Sequence, residues 1–225
     1  MNPIDGVWAV DHLLTAKSNS DNAKRPAGTF AGEINRALDE SLKESTDVLV
    51  CGQLVRYGVA GLTTGLYEKY RKQFITYSVS ESLMNSATMG LALAGKRPVT
   101  IHVRMDFLLS GMDALFNQIP TAVKKGYKLP CTFICQVGKG MGQGAMHSHD
   151  LTIWFERFEG WKVCVPQNPT QAYEMLKESI FGDVPVMYVA HRELFDLPEG
   201  KKIVRPEFIK ICGASRRHEK EFYGE

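Results

Sequence analysis

The sequence has no long apolar run and no strong excess of charge of either sign. Over 225 residues the formal net charge is +2, so the electrostatics do not favour nucleic acid or an anionic membrane surface as a partner. No stretch approaches the roughly 20 apolar residues of a membrane-spanning helix. Residues 7–14 are interrupted by Asp11 and His12, unlike a secretory signal. These absences predict a soluble protein that binds neither membrane nor nucleic acid.

Cysteine is scarce, and its spacing suggests neither a metal site nor a redox site. The five cysteines include no Cys-x-x-Cys pair; they are Cys51, Cys131, Cys135, Cys164 and Cys212. Four of them lie in or beside apolar runs, where a thiol behaves as a small core residue. A reducing compartment, the cytoplasm, is therefore the predicted location.

Polar segments divide the chain into three parts. Residues 15–28 (TAKSNSDNAKRPAG) are turn-rich, which predicts an N-terminal arm over residues 1–28. Residues 196–225 are charged and irregular, with RRHEKE near their end, and are predicted to form a C-terminal tail. The 167 or so residues between them, 29–195, suffice for one domain of ordinary size, which is typically about 50–250 residues.

Helical and β-type runs alternate from residue 29 onward, and the helical runs include predicted helices over about residues 62–70 and 110–125. Thr29 can cap a first helix, whose apolar face has helical spacing and comprises Phe30, Ile34, Ala37, Leu38 and Leu42. Later runs such as VTIHV and TFICQV have no charged alternate face, which is typical of strands covered on both sides. We therefore predict an α/β fold with a mostly parallel sheet sandwiched by helices. Ligands of such sheets bind beyond the carboxyl ends of the strands, which directs attention to residues 52–61, 78–81, 104–111 and 138–150.

Two nucleotide-binding patterns occur only in part. Residues 90–96 have P-loop spacing, but Arg97 stands where a magnesium-binding Ser or Thr should follow, and the run is predicted to be the end of a helix. Residues 140–145 match a relaxed dinucleotide fingerprint, but no acidic residue ends the next strand to bind a ribose. Neither pattern predicts a nucleotide site.

The segment from His147 to Asp150 contains two imidazoles and a carboxylate and could be a fragment of a metal site. Further ligands would have to come from isolated candidates, namely His102, Asp106 and His191. No metal on this chain is predicted, and a metal-dependent hydrolase built on His147 and His149 is kept as the weakest alternative.

Glu81 has a purely structural interpretation. Ser78-Val79-Ser80-Glu81 has the form of a capping box, with Ser78 at the N-cap and Glu81 at the third helical position. Spacing alone favours this interpretation.

A longer run of residues around Glu81 favours a functional interpretation instead. The segment SVSESLMNSATMGLALAGKRPV resembles the β subunits of 2-oxo-acid dehydrogenase E1 components and other transketolase-like pyrimidine-binding domains. The resemblance runs from about residue 33 to 195 and includes ALDESL, GLYEKY, MDFLLSGMDALFNQI, GAMHSHD, GWKVCVPQNP and VPVMYVAHRELFD, in order. It implies the thiamine-diphosphate-binding fold of the pyrimidine type.

The resemblance also implies roles for individual residues. Glu81 matches the family glutamate that hydrogen-bonds N1′ of the aminopyrimidine, which lets the cofactor lose its C2 proton. Phe107 matches the aromatic residue that packs on this ring. Val79 and Val103 match apolar neighbours of the ring, although core packing explains valines equally well. His147 matches the histidine of a Gln-His-Ser-Gln motif that faces the substrate, where it can bind a carboxylate or move protons.

The sequence departs from the family pattern at three positions. Met146 and His149 flank the histidine motif in place of glutamines, and Gln53 replaces the acid that usually follows the glycine of the first strand. These changes leave open two hypotheses: an active enzyme with a retuned pocket, or a non-catalytic, regulatory paralogue. The retained Glu81 favours catalysis.

The family segment that holds Mg²⁺ and diphosphate, Gly-Asp-Gly followed by Asn-Asn, does not occur in the sequence. The resemblance therefore implies a β-type subunit that lacks the usual C-terminal domain and needs a diphosphate-binding α-type partner, which would carry the Mg²⁺. Self-association into a heterotetramer with that partner is expected. The implied reaction is decarboxylation of a 2-oxo acid, or cleavage of a ketose, with transfer of the fragment.

Overall fold

The computed structural model describes residues 23–138 and 145–201. Its helices are α1 (Phe30–Glu44), α2 (Leu66–Lys69), α3 (Glu81–Leu93), α4 (Ile119–Lys124), α5 (Thr152–Arg157) and α6 (Pro169–Phe181). Its strands are β1 (Val48–Gly52), β2 (Phe74–Thr76), β3 (Arg97–His102), β4 (Thr132–Val137), β5 (Lys162–Cys164) and β6 (Val186–His191). Short 3₁₀ turns, including Met105–Gly111 and Ala145–His147, and a π-helical segment, Ala114–Gln118, connect them. Within these residues no helix is both long and apolar enough to cross a membrane.

The six strands form one sheet in the order β2-β1-β3-β4-β6-β5, and every neighbouring pair is parallel. The interior strands β4 and β6 are buried along their whole length. Because both faces of the sheet are covered, these strands need no polar face. The predicted α/β fold with a parallel sheet between helices is confirmed.

One face of the sheet is covered by two long helices, α1 and α6. Alternate strand residues point to this side and form its core, including Val50, Ile101, Ile134 and Tyr188. Thr29 caps α1 as predicted, because its hydroxyl accepts a hydrogen bond from the backbone N–H of Gly32 at 3.2 Å.

The other face is covered by α3, the turn Met105–Gly111, α4 and α5. Its core contains Met105, Leu115, Ile119, Phe133 and Phe155. Residues 110–125 were predicted as one helix, but they pass from 3₁₀ through π to α geometry. Pro120 accounts for part of this difference, since it has no N–H to donate and its ring crowds the carbonyl of residue 116.

The helix predicted over residues 62–70 shrinks to Leu66–Lys69. Three glycines with positive φ, Gly58, Gly61 and Gly65, break the chain here into short turns. The P-loop-like residues 90–93 are helical, as the sequence predicts, and α3 ends at Leu93.

The two ends of the described chain meet beside α1. The backbone N–H of Phe30 donates to the carbonyl of Leu197 at 2.9 Å, and Arg25 pairs with Asp196 at 2.7 Å. The domain boundaries at residues 29 and 195 stay a prediction. Residues 1–22, 139–144 and 202–225, which include much of the arm and tail, lie outside the described residues.

Candidate functional site

Side chains from three separate segments meet at the carboxyl edge of the sheet. Gln53 follows β1, Glu81 lies beyond β2, and Ser110 belongs to the turn after β3. Gln53 and Ser110 both hydrogen-bond Glu81. Since the strands are all parallel, their carboxyl ends share one edge, which is where parallel sheets bind ligands.

Glu81 is the first residue of α3, not the third. The N-cap is Ser80, whose hydroxyl accepts from the backbone N–H of Leu83 at 3.4 Å, and its own backbone is extended. The capping box that pairs Ser78 with Glu81 is therefore wrong. Ser78 and Ser80 both fit a helix start, and only Ser80 occupies it. Glu81 still gains from the positive end of the helix dipole, but its carboxylate is not needed to cap the helix.

The carboxylate of Glu81 is instead held by two neutral donors. Gln53 Nε2 donates to Oε1 at 3.0 Å, and the Ser110 hydroxyl donates to Oε2 at 3.3 Å. The side chain is neither fully buried nor fully exposed. The carboxylate is thus fixed in direction while it stays accessible from the edge of the sheet.

Two glycines let these segments come close enough. A Cβ atom on Gly111 would lie 2.5 Å from Asn85 Nδ2 and 3.0 Å from the carbonyl oxygen of Glu81, so only glycine lets this turn pack on the first turn of α3. At the end of β1, Gly52 has φ +142°, and a Cβ there would lie 2.6 Å from the carbonyl oxygen of Ile101. Both positions set the approach of Ser110 and Gln53 to Glu81.

Phe107 and His147 pack against each other in the same region. Their ring centroids are 5.4 Å apart and the ring planes are nearly perpendicular, at 86°. The Ser110 hydroxyl has one proton to donate and lies closer to the carbonyl oxygen of Phe107, at 2.9 Å, than to Glu81 Oε2, so the proton is shared between these two acceptors and links the ring pair to the carboxylate. His147 Nδ1 is buried and has no hydrogen-bond partner within the described ranges. The structure therefore brings together Glu81, Phe107 and His147.

The two predicted valines differ in their surroundings. Val79 is 83% exposed, and it immediately precedes the capping serine. Val103 is partly buried and packs against the core beneath α1 and α6. Met146, next to His147, is 77% exposed. Two of the apolar side chains that flank the site, those of Val79 and Met146, are therefore left exposed by the described residues.

Sequence reasoning missed the pairing of Asp106 with His149. Asp106 is only 7% exposed, and its Oδ1 lies 2.6 Å from His149 Nδ1 and 3.1 Å from the His149 backbone nitrogen. The sequence named Asp106 only as an isolated metal-ligand candidate, and His149 as part of the segment 147–150 and as a departure from the family's histidine motif. The single available signal was that a polar residue stands in the otherwise apolar run beside Phe107.

The described ranges contain no group of three His, Cys, Asp or Glu side chains that could hold a metal ion. The cysteines are no better placed for chemistry, because burial raises the pKa of the Cys51 and Cys131 thiols to about 12. Burial also lowers the pKa of His102 to about 3, so this histidine is neutral in the core, where it stacks on Phe133. The chemistry available at the edge is that of a carboxylate, an aromatic ring and imidazoles.

Fold and site together define a parallel α/β domain with a directed carboxylate and an aromatic-imidazole pair at its ligand-binding edge. The family model of the transketolase pyrimidine-binding domain matches residues 29–197. The chain belongs to this family.

Relatives in the same family are similar over about half of their own length. The β subunit of the mitochondrial pyruvate dehydrogenase E1 component of Ascaris suum is 28% identical over 84% of this chain and 54% of its own. The β subunit of an acetoin:2,6-dichlorophenolindophenol oxidoreductase of Cupriavidus necator is 30% identical over 74% of this chain and 55% of its own.

Among solved structures, a split-gene transketolase described as an inactive β4 tetramer superposes with a TM-score of 0.58 at 16% identity. The match covers 72% of this chain and 51% of that one, and it supports the fold alone.

Proposed function

We propose that this chain is the pyrimidine-binding, β-type subunit of a split thiamine-diphosphate-dependent enzyme that acts on a 2-oxo acid or a ketose. The observation that carries the proposal is the state of Glu81. Its carboxylate does not cap α3, and hydrogen bonds from Gln53 and Ser110 fix its orientation. A structural glutamate at a helix start would not need two side chains from other loops to hold it.

The residues at the edge fit an aminopyrimidine ring. A carboxyl group can hydrogen-bond a ring nitrogen, an aromatic face such as that of Phe107 can pack on the ring, and Val79 and Val103 supply apolar neighbours. When bound, thiamine diphosphate supplies a carbon nucleophile that this chain's own side chains lack. Glu81 would hold and exchange a proton at the ring nitrogen, and such proton exchange typically contributes about 10²–10⁴-fold to a rate.

We assign His147 the role of binding the substrate through a hydrogen bond. Its ring is fixed by Phe107, and Nδ1 has no partner in the described part of the chain. A buried polar atom without a partner is costly, which is expected where a ligand completes the site. A 2-oxo-acid carboxylate or a hydroxyl group of a sugar could accept or donate this hydrogen bond.

A diphosphate-binding partner would complete the site and carry the Mg²⁺. Val79, Leu83, Leu109 and Met146 are all exposed, and each lies within two positions of Glu81, Ser110 or His147. Exposed apolar side chains around a polar centre are typical of protein interfaces. We propose a heterotetramer of two copies of each chain, and the four cysteines of the described ranges, which are all buried and free, fit the reducing cytoplasm as its location.

Calorimetry tests the split site. The full chain is titrated with thiamine diphosphate and Mg²⁺, first alone and then mixed with a candidate α-type subunit that contains the Gly-Asp-Gly and Asn-Asn segments. We expect weak binding alone and tight, Mg²⁺-dependent binding by the mixture. Tight binding by the lone chain would contradict the split site, and no binding by the mixture would contradict the cofactor.

A non-catalytic, regulatory subunit is the second candidate, and one observation favours it. Gln53 occupies Oε1 of Glu81 with a neutral amide, at the position where the resemblance implies an acid. A mixture that binds the cofactor but shows no turnover with 2-oxo acids or ketoses would favour this candidate.

A further inference from the structure

The Asp106–His149 pair is a strongly built polar contact beside the site that the proposed roles do not use. The Asp106 carboxylate is almost completely buried, at 7% exposure. It accepts two hydrogen bonds from a single residue, from the backbone N–H and from Nδ1 of His149. A buried carboxylate needs such partners, and here they also fix the position and the rotation of the imidazole ring.

This geometry decides which ring nitrogen carries the proton. An ionised carboxylate only accepts hydrogen bonds, so Nδ1 of His149 must donate. In the neutral ring, Nε2 then holds the free lone pair. Nε2 makes no hydrogen bond with the described residues, and 44% of the side chain is exposed. A basic nitrogen is thus presented outward, on a ring held from behind by a buried carboxylate, as in the aspartate-histidine pairs of hydrolases.

The pair lies beside the site, because two contacts join the same two segments. Phe107 packs on His147, and the preceding residue, Asp106, binds the histidine two positions further on. The turn Met105–Gly111 also carries Ser110, which bonds Glu81. One turn therefore positions the carboxylate, the ring pair and His149 together.

We propose that His149 is a second proton-transferring residue of this site and that Asp106 is its positioning residue. Nε2 takes a proton from a hydroxyl or acid group of the substrate while the hydrogen bond from Nδ1 to Asp106 stabilises the resulting imidazolium. The same proton returns to the product side later in the cycle, so the pair ends unchanged. The substrate class rests on the proposed function, whereas the hydrogen bond between Asp106 and His149 and the tautomer of His149 do not.

The tautomer can be measured without partner or cofactor. In the full chain with ¹⁵N-labelled histidine, we expect the His149 signals of an Nδ1-protonated ring at neutral pH. We also expect Nε2 to react with diethyl pyrocarbonate, and Asp106→Asn to slow this reaction severalfold, since a neutral amide stabilises positive charge on the ring less. An Nε2-protonated ring, or an unchanged rate in Asp106→Asn, would overturn the proposal even if the enzyme is active.

Kinetics of the assembled enzyme distinguish a pair that transfers protons from a loop anchor, meaning a pair that only holds the segment around His149 in place. His149→Gln should lower kcat by about 10²–10⁴-fold, Asp106→Asn by less, and the double variant no more than His149→Gln alone, because the two residues act as one unit. The matched control is Asp47→Asn, which removes a carboxylate paired with Lys96 at the opposite edge of the sheet. Wild-type kcat in His149→Gln, with a loss of thermal stability only in Asp106→Asn, would show a loop anchor and overturn the proposal.

Discussion

The two faces of the sheet are built in different ways. The face under α1 and α6 is covered by continuous helices of 15 and 13 residues that pack directly on each other and on alternate strand side chains. The other face is covered by α3 together with a 3₁₀ turn, a π-helical segment and two helices of six residues. Glu81, Asp106, Phe107 and Ser110 all belong to this irregular side.

The difference shows how the fold separates stability from chemistry. Regular helices bury apolar area efficiently but present their side chains at fixed spacing. Tight turns project neighbouring side chains in different directions, as where Asp106 reaches His149 while Phe107 packs on His147. Substitutions on the regular face should therefore affect folding, and those on the irregular face should affect function.

The largest effect is expected on the regular face. Leu38 is fully buried in α1, and Leu38→Ala should lower the free energy of unfolding by about 2–5 kcal/mol, because it leaves a cavity. Denaturant unfolding measures this loss. Without denaturant, folded Leu38→Ala should bind the partner and the cofactor as the wild type does. Weaker cofactor binding by the fully folded variant would show that the two faces are coupled.

His147→Ala should show the opposite pattern. We expect turnover to fall by about 10²-fold, at the lower end for lost proton transfer, while cofactor binding and thermal stability stay close to those of the wild type. Steady-state kinetics and calorimetry on the assembled enzyme give both values. Wild-type turnover at saturating substrate would remove His147 from the site.

One core histidine on the irregular face should contribute to the pH dependence of folding. The pKa of His102 is about 3 in the folded chain against an ordinary value of 6.5. Its contribution is fully present above about pH 6.5 and is lost as the pH falls toward 3, because the unfolded chain takes up the proton first. Between about pH 6.5 and pH 5 the loss should be about 2 kcal/mol.

The comparison is with His102→Phe, which can keep the stacking on Phe133 but cannot take up a proton. Unfolding of both proteins is measured across this pH range. A flatter pH slope in the variant is expected, and identical slopes would show that His102 does not titrate on unfolding.

The smallest effect is expected from Ser110→Ala. It removes one hydrogen bond to Glu81, at 3.3 Å, which should cost about 1 kcal/mol, or roughly fivefold in turnover. Ser86→Ala, at an exposed position of α3, is the matched control. Equal turnover of the two variants would mean that Gln53 alone suffices to direct the carboxylate.

The sequence predicts the regular parts of this molecule better than the irregular ones. Apolar runs such as TFICQV and the helical spacing around Leu38 predict the sheet and α1, because both reflect burial with a simple period. The Asp106–His149 contact joins residues 43 positions apart and follows from no local pattern. Spacing alone does not choose Ser80 over Ser78 as the cap either, because both serines closely precede the same helical run.

The roles of Glu81, Phe107 and His147 came from resemblance, and the structure adds that these residues are neighbours. Their contacts depend on a turn whose 3₁₀ geometry no periodicity announces. The single helix predicted over residues 110–125 was wrong for the same reason, and its first residue, Ser110, contacts Glu81.

Exchange of the C2 proton of bound thiamine diphosphate tests most directly whether Glu81 serves the cofactor. Wild type, Glu81→Gln and the exposed control Glu68→Gln are each assembled with the partner chain, and exchange is followed by NMR after rapid acid quench. We expect Glu68→Gln to match the wild type and Glu81→Gln to exchange about 10²–10⁴-fold more slowly with an unchanged thermal midpoint. A stable Glu81→Gln variant that exchanges this proton at the wild-type rate would contradict the account.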